Sequence, residues 1–330
     1  MPSRRHLIAG SAATVFCAAL GVADPSRAQS STKTCRIVVG FPPGSAPDVV
    51  ARLMADGLRG TYAQTVIVET KSGAGGRIAA EAVKTGDPDG STILITPNPI
   101  ITIYPHVYRK LSYDPLRDLT PVTSLCSYPL VLSAGPGLPL NVKTLADLVA
   151  WCRANPGGVS FGTPAAGSTL HFIGVAFAAA SHIDLQHVPY RGGAEVVADL
   201  AGGRIPLAVT TATPVVPLIR AGRLRALATT STDRSSVLPD VPTFKEAGYP
   251  QLAIKDWIGA FVPAKTPVET VERLNFALRA ALKSSEASES YATLMINPSS
   301  ESPGDAARMV QAEFDMWRPI VKASGFTATD

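Results

Sequence analysis

Residues 36–48 read RIVVGFPPGSAPD, and this stretch decides the fold class. It opens with a β-branched apolar run, turns through two prolines and a glycine, and leads into a helical apolar stripe that begins at Val49. Pro47 suits the first turn of a helix, because the N–H that proline lacks would have no intrahelical partner there. A buried strand that passes directly into a helix predicts an α/β unit.

The same alternation continues along the chain. Helical stripes at 49–58, 170–177 and 196–200 separate short apolar runs, and the last of these helices is closed by a Gly-Gly pair. We predict strands at 36–41, 65–69, 92–96, 129–133, 159–162, 185–189, 205–210 and 224–229. Continuous apolar runs are typical of parallel strands covered on both faces. The final third predicts helices at 268–282, 291–296 and 305–321, so the chain is an α/β protein with a helical close.

The N-terminus predicts export. Arg4-Arg5 precede an apolar run at 7–22, and Ser26-Arg27-Ala28 puts small residues at the two positions that a signal peptidase reads. This is a secretory signal pattern, and the arginine pair favours the twin-arginine route. The run has about 16 residues, fewer than the roughly 20 that span a bilayer. We expect a signal peptide at 1–28, cleavage after Ala28 and a soluble periplasmic protein.

Charge and cysteine content exclude several classes of function. Cleavage would remove three arginines and one aspartate, which leaves 27 basic and 25 acidic side chains, a net charge of +2. A nearly neutral chain without a basic block disfavours nucleic acid as a partner. Cys35, Cys126 and Cys152 are too scattered for a zinc site, so core or disulfide roles are expected and the pairing stays open.

Enzyme and cofactor signatures are missing from the sequence. The stretch GAGGRI at 73–78 imitates a dinucleotide loop, but Ile78 stands where the third glycine belongs. No Gly-x-Ser-x-Gly elbow surrounds Ser168, and DPDG at 87–90 is a turn rather than a calcium loop. We therefore expect no enzymatic activity, no cofactor and no metal.

Three strand-to-helix joints share one design, at 41–48, 163–171 and 190–194. Each has a Gly, Ser or Thr turn before a helix. The free N–H groups and partial positive charge of a helix N-terminus hold carboxylates without a formal cation. The carboxyl ends of strands are also the usual ligand-binding edge of α/β sheets. Any one joint could be only a tight turn, but three together favour an anion site.

Two residues in these joints have two interpretations each. Ser168 and His171 could form a helix cap with a ligand-facing imidazole, or a cap with a histidine that faces the core. Asp48, near a helix start, stabilises the helix dipole on the simpler interpretation. In an anion site its carboxylate would repel the ligand unless it meets an ammonium group or a bridging water.

Ordered blocks along nearly the whole chain resemble the Bug-type receptors of tripartite tricarboxylate transporters. They comprise FPPG with Asp48, GAGG at 73–76, DPDG at 87–90, YRKL and YDP at 108–115, Gly167-Ser168 with His171, HVPYRG at 187–192, LRALA at 224–228, LPDVPT at 238–243 and PA-x-TP at 263–267. The resemblance implies a type II-like Venus-flytrap fold, in which each of two lobes is a β-sheet flanked by helices. We place lobe one at 33–128 plus 230–330 and lobe two at 129–229.

The resemblance also implies that an organic acid binds between the lobes and passes to membrane transporter subunits. In the family, backbone amides and small polar groups of the first loop and the Gly-Ser-x-x-His helix start hold the ligand with bridging waters. The predicted ligand-binding residues are Phe41, Gly44, Ser45, Asp48, Thr96, Asn98, Thr163, Ala166, Gly167, Ser168, Thr169, His171, Tyr190, Arg191, Thr210 and Thr211.

Departures from the family pattern concern the ligand. Ser45 replaces the second glycine of the usual first loop, and Thr210-Thr211 stand where an acidic residue suited to an amino group is often found. We therefore expect a di- or aromatic carboxylate rather than an amino acid, bound by a monomer. A sensor subunit that signals to a membrane kinase remains the alternative, because both functions need the same closing motion.

Overall fold

A computed structural model describes residues 32–157, 159–190 and 192–328. The predicted signal peptide and Arg191 lie outside these residues. The described part forms one compact unit.

The strands make two sheets. In chain order they are β1 (Thr32–Val39), β2 (Ala63–Thr70), β3 (Thr92–Pro97), β4 (Leu119–Tyr128), β5 (Leu130–Ala134), β6 (Ser160–Thr163), β7 (Gln186–Pro189), β8 (Leu207–Thr211), β9 (Arg225–Thr229), β10 (Asp256–Pro263) and β11 (Asn297–Pro298). The first sheet has the order β11-β4-β10-β3-β1-β2 and the second β7-β6-β8-β5-β9. Each of the eight predicted strands overlaps an observed one, and the α/β class is confirmed.

The parallel strands that the apolar runs indicate are only part of the arrangement, because both sheets are mixed. β10 runs antiparallel to both β3 and β4, and β5 runs antiparallel to both β8 and β9. β4 ends at Tyr128 and β5 begins at Leu130, so the chain passes from one sheet to the other almost without a loop. β5 enters the second sheet beside the carboxyl end of β8, where Leu130 pairs with Thr211. It therefore runs in the direction opposite to β8.

The helices cover both faces of each sheet. They are α1 (Ala46–Leu58), α2 (Arg77–Lys84), α3 (Pro99–Thr102), α4 (Tyr104–Val107), α5 (Pro115–Asp118), α6 (Leu145–Ala154), α7 (Thr169–Ser181), α8 (Gly193–Ala201), α9 (Ala212–Arg220), α10 (Val268–Ala281), α11 (Ser285–Leu294) and α12 (Pro303–Ser324). The prediction of a helix at 291–296 is shifted. α11 begins at Ser285 and ends before Met295, whose φ of 56° is left-handed and breaks the helix.

Apolar side chains pack on the two faces of each sheet in separate clusters. On the first sheet, Val39 and Ile95 pack with α1 and α10 on one face, and Leu94 packs with α2 and α12 on the other. Cys35, Cys126 and Cys152 are free thiols buried in these cores. Burial raises the pKa of Cys126 to about 12, so the thiol stays neutral. The core role was therefore the better of the two expected for these cysteines.

The long helix α12 contacts both sheets. Val310 packs on the first sheet. Trp317, two turns further on, and Val321, three turns further on, pack in the core of the second. Phe244, Leu252 and Ile254 join that second core from the segment that leads back to β10. The two sheets are thus tied together by packed side chains as well as by the chain crossings.

Candidate functional site

The carboxyl ends of strands from both sheets meet at the crossing points. In the first sheet Asp256 pairs with Tyr128 at the end of β4, and Ile258 pairs with Pro97 at the end of β3. In the second, Leu130 pairs with Thr211 at the end of β8. The loops that follow β1, β3, β6 and β8 therefore open towards the seam between the sheets, where ligands of α/β proteins bind.

The first joint is held by the Asp48 carboxylate. Its Oδ2 accepts hydrogen bonds of 2.9 Å from the Gly44 N–H and 3.0 Å from Arg52, and Oδ1 accepts a second Arg52 bond of 3.0 Å. Burial raises the pKa of Asp48, but these hydrogen bonds outweigh it and leave the pKa lowered. Asp48 is thus an internal brace of the loop, and its charge is balanced by Arg52.

The turn that the Asp48 carboxylate stabilises contains Phe41, Gly44 and Ser45. Gly44 has a φ of 82° and is exposed, which leaves its backbone accessible. The Ser45 hydroxyl donates a 2.6 Å hydrogen bond back to Pro42, so the side chain is engaged within the loop. Phe41 is half-buried and lies beside Gly76, where an added Cβ would come within 3.1 Å of its ring.

The second joint ends β6 and begins α7. Gly167 turns the chain at a φ of 74°, and the Ser168 hydroxyl donates a 2.7 Å hydrogen bond to the Ala165 carbonyl. Ser168 is the N-cap residue of α7, but its side chain makes no cap hydrogen bond. The first N–H groups of α7 are therefore left for another acceptor. Ala166 is exposed at the tip of the turn.

His171 faces the core rather than the seam. Its ring packs against Phe172, Phe326 and His187, and its Nδ1 accepts a 3.3 Å hydrogen bond from the Gly167 N–H. Of the two interpretations, the structure supports the core-facing one. The imidazole fixes the Gly167 turn from behind.

His187 continues the same stack. The rings of His171 and His187 are 3.9 Å apart, and Thr163 Oγ1 lies 2.7 Å from His187 Nε2. Burial lowers the pKa of both histidines to about 4, and for His171 the charge of His187 adds to the effect. Both rings are neutral at pH 7, so neither supplies a cation to the site.

The third joint and the end of β8 supply fewer free groups. The Tyr190 hydroxyl donates a 2.9 Å hydrogen bond to Asp199, which ties it to α8. Thr211 is the half-buried N-cap residue of α9, without a side-chain cap bond. Thr210 is buried, and its Oγ1 has no hydrogen-bond partner within the described structure. The predicted role of Arg191 stays a prediction.

The end of β3 leads to two acids that the sequence analysis did not select. Asn98 is fully buried, and its Oδ1 accepts a 3.3 Å hydrogen bond from the Trp257 N–H. Its Nδ2 donates to Glu313 on α12 over 3.4 Å, and the Trp257 indole donates to the same carboxylate over 2.8 Å. Burial raises the pKa of Asp256 to about 6, and hydrogen bonding from Asn98 offsets part of that rise. Thr96 is buried in β3 one residue before Pro97.

Thr169 connects this cluster to α7. The Thr169 hydroxyl lies close enough to Asp256 to offset part of the rise that burial causes in the pKa of that carboxyl. Neither Thr169 Oγ1 nor Asp256 Oδ1, however, has a hydrogen bond of good geometry, and both atoms are buried. Two unpartnered polar atoms thus lie together at the N-terminus of a 13-residue helix.

The missed acids do leave a signal in the sequence. Glu313 follows Val310 by three residues and precedes Trp317 by four, so it lies on the apolar face of α12. Asp256 directly precedes the apolar run 257–263. A charged residue inside an apolar pattern needs a partner or a function, and that rule would have selected both.

A separate cavity lies beside the crossings. It has a volume of about 420 Å³, and its lining includes Tyr128, Ser231, Lys255 and Asn297. It contains none of the predicted ligand-binding residues, so it is a distinct feature of the seam.

The Gly167 turn gives a first testable expectation. Gly167→Ala should lower the free energy of unfolding by about 1–2 kcal/mol, because an L-residue is strained at positive φ. The added Cβ would also lie 3.1 Å from Phe326 Cε1 and 3.2 Å from Val107 Cγ1. Urea unfolding of the purified variant measures the change.

Gly192→Ala is the matched control. Gly192 precedes α8 with an extended φ of −172°, and an added Cβ would meet nothing within 4 Å. Because Gly192 is the N-cap residue of α8 and alanine is a poorer N-cap than glycine, the loss of stability should stay below about 1 kcal/mol. Equal losses in the two variants would contradict the role of the left-handed turn.

Comparison with known proteins identifies the family. Residues 50–326 match the TctC family, described as tripartite tricarboxylate transporter family receptor. The chain is 33% identical to protein BugT of Bordetella pertussis over 313 residues, which cover 94% of this chain and 95% of BugT. This chain belongs to the TctC receptor family. The resemblance to Bug-type receptors is therefore confirmed.

Solved structures agree with this assignment. The R. palustris protein Rpa4515, solved with adipate, is 34% identical with a TM-score of 0.77, and the match covers 90% of this receptor and 98% of Rpa4515. MatC from Rhodopseudomonas palustris, solved with bound malate, is 28% identical with a TM-score of 0.72, covering 88% and 99%. The two-lobed periplasmic-binding-protein fold is confirmed.

The receptor shows neither a membrane span nor a metal cluster in its described part. None of the helices within residues 32–328 that the structure describes combines the length and apolarity needed to cross a bilayer. The same residues contain no group of three or more His, Cys, Asp or Glu side chains placed to hold a metal ion.

Proposed function

We propose that this protein is an extracytoplasmic solute receptor that binds a small organic carboxylate in the cleft between its lobes. It then delivers the ligand to the membrane subunits of a tripartite tricarboxylate-type transporter. The observation that carries the proposal is the uncapped N-terminus of α7 at the seam, where Thr169 Oγ1 is buried without a partner. Such a terminus binds a carboxylate through its N–H groups.

The lobe boundaries are part of the proposal. Lobe one comprises 33–128 plus 230–330 and lobe two 129–229. The strand bounds support this division, because β1 to β4, β10 and β11 form one sheet and β5 to β9 the other. α12 belongs to lobe one by this division, and its Trp317 reaches into the core of lobe two.

The ligand is proposed to be a di- or aromatic carboxylate. Related receptors of known structure hold adipate and malate, neither of which has an ammonium group. At the end of β8 this chain has Thr210 and Thr211 rather than an acidic residue. The 16 residues predicted from the sequence remain the proposed site, with His171 and Asp48 acting from behind the loops. Export to the periplasm and a monomeric receptor complete the proposal.

Thermal-shift screening of residues 29–330 tests this function. The panel contains adipate, malate, succinate, benzoate, glutamate and aspartate. At least one non-amino acid should raise the melting temperature, because a ligand that binds only the folded state stabilises it by mass action. Tight calorimetric binding of glutamate or aspartate, with no binding of the other acids, would overturn the proposed ligand class.

Thr169→Val sharpens the test. Valine has nearly the same shape, and the hydroxyl it replaces has no hydrogen bond of good geometry. The ligand-free melting temperature should therefore change little, while the shift caused by the best ligand should be lost or greatly reduced. Thr266→Val is the control. The Thr266 hydroxyl donates a 2.7 Å hydrogen bond to the Pro263 carbonyl, and both residues are far from Thr169 in the sequence. Loss of this bond should lower the melting temperature and leave the ligand-induced shift intact.

A further inference from the structure

A buried acid, Asp256, and a half-buried acid, Glu313, lie together where α12, β10 and α7 meet. Asp256 is 3% exposed, and Glu313 shares the Asn98 side chain with it as a hydrogen-bond partner. The Trp257 indole holds the other oxygen of Glu313. A buried acid is normally paired with a cation or kept neutral by a proton.

The described neighbours of Asp256 offer no cation. From β4 the half-buried Tyr128 faces it, and from α12 Glu313 faces it. The titratable group of the first turn of α7 is His171, whose ring is packed on aromatic side chains. Lys255, next to Asp256 in the sequence, is exposed and lines the separate cavity.

The position of Asp256 creates an electrostatic conflict. It lies beside Thr169 at the N-terminus of α7, and that terminus attracts an anion. An ionised Asp256 would repel a ligand carboxylate at the same place. Asp256 Oδ1 and Thr169 Oγ1 are both buried without a partner, so they have capacity for a further hydrogen bond. One proton on Asp256 removes the repulsion and supplies the hydrogen.

We propose that the receptor binds a ligand carboxylate at the N-terminus of α7 together with one proton, which Asp256 holds and directs to the ligand in a hydrogen bond. This deepens the proposed function and depends on it. Glu313 lies behind Asp256, and its charge would further favour a proton on this pair. Binding is therefore coupled to proton uptake, and the ligand class is a carboxylate without an ammonium group.

The electrostatics of the ligand-free protein support this. Burial raises the pKa of Asp256 to about 6, and burial raises that of Glu313 to about 7. A carboxylate bound alongside raises them further, because like charges disfavour ionisation. At pH 7 to 8 the protein would thus take up a proton when the ligand arrives, and affinity should fall by up to about tenfold per pH unit over that range.

Calorimetry with adipate tests the coupling, with malate as the probe if adipate gives no thermal shift. Titrations at pH 7 in phosphate and in Tris, whose ionisation enthalpies differ, give the number of protons taken up. The parent protein should take up between about half a proton and one proton per ligand. Repeating the titration from pH 6 to 8.5 gives the affinity profile.

Asp256→Asn is the decisive variant. The asparagine amide carries its hydrogen at every pH, so proton uptake should disappear and affinity should become independent of pH. At pH 8 this variant should bind about tenfold more tightly than the parent. Asp240→Asn changes an exposed aspartate and should behave as the parent does.

The contrary outcomes are distinct. Binding without proton uptake in the parent would overturn the inference. Uptake that persists in Asp256→Asn would also overturn it, by assigning the proton to Glu313, His171 or His187. Affinity for glutamate that rises with pH and is lost in Asp256→Asn would make Asp256 an ammonium acceptor instead. A protein that binds no acid of the panel overturns the proposed function, and this inference with it.

Discussion

Trp317→Ala is expected to lower the free energy of unfolding by about 4 kcal/mol, since truncating a fully buried tryptophan leaves a large cavity. Trp317 is 0% exposed and contacts Phe172 of α7 with ring centroids 6.2 Å apart. It reaches the second core from a helix whose Val310 packs on the first sheet. Urea unfolding monitored by circular dichroism measures the loss.

Trp317→Phe is the matched variant. The indole Nε1 of Trp317 is buried without a hydrogen-bond partner, so phenylalanine removes volume but breaks no hydrogen bond. Its loss should be about half that of the alanine variant or less. A loss below about 1 kcal/mol for Trp317→Ala would show that α12 does not anchor the second core.

The sequence predicts the local elements well and their arrangement less well. Continuous apolar runs and 3.6-residue stripes locate the eight strands and the main helices, because burial on both faces dictates those patterns. β10 was missed although it is buried along its length, because Gly259 interrupts its apolar run. That glycine leaves room for Trp257, whose ring would be 2.6 Å from an added Cβ.

The loops of the candidate site were predictable from the sequence, but the acidic pair Asp256 and Glu313 was not. Gly44, Ser45, Gly167 and Ser168 lie in turns whose chemistry is local, so the sequence reveals them. Asp256 and Glu313 are 57 residues apart and meet only through tertiary packing. His171 shows the same limit, since the side on which a helical histidine lies depends on what packs there.

Asp256→Asn should make the ligand-free protein more stable by about 3 kcal/mol at pH 8. Burial raises the pKa of Asp256 from 3.8 to about 6 in the folded state. That difference of roughly two pKa units corresponds to about 3 kcal/mol, at 1.36 kcal/mol per unit. The folded state prefers the protonated form of Asp256. The contribution of Asp256 to the free energy of unfolding is therefore most favourable below pH 4, and it declines as the pH rises to about 6.

The stabilisation by Asp256→Asn should therefore depend on pH. It should be below about 1 kcal/mol near pH 4, grow mainly between pH 4 and 6, and level off above. Urea unfolding of variant and parent at the same pH cancels the opposite contribution of His171 and His187, whose lowered pKa values cost stability as the pH falls below 6.5. Asp240→Asn should show no such gain.

A constant difference across pH would mean that Asp256 is neutral for other reasons, and a loss of stability at pH 8 would mean that its carboxylate is paired. A stabilisation by Asp256→Asn that is small near pH 4 and large above pH 6 would instead show that the ionised carboxylate destabilises the folded protein. A protein keeps a destabilising buried acid when the acid serves its function, and the stability cost is recovered on binding. The unfolding and calorimetric experiments thus measure the same proton in two ways, once as lost stability and once as coupled affinity.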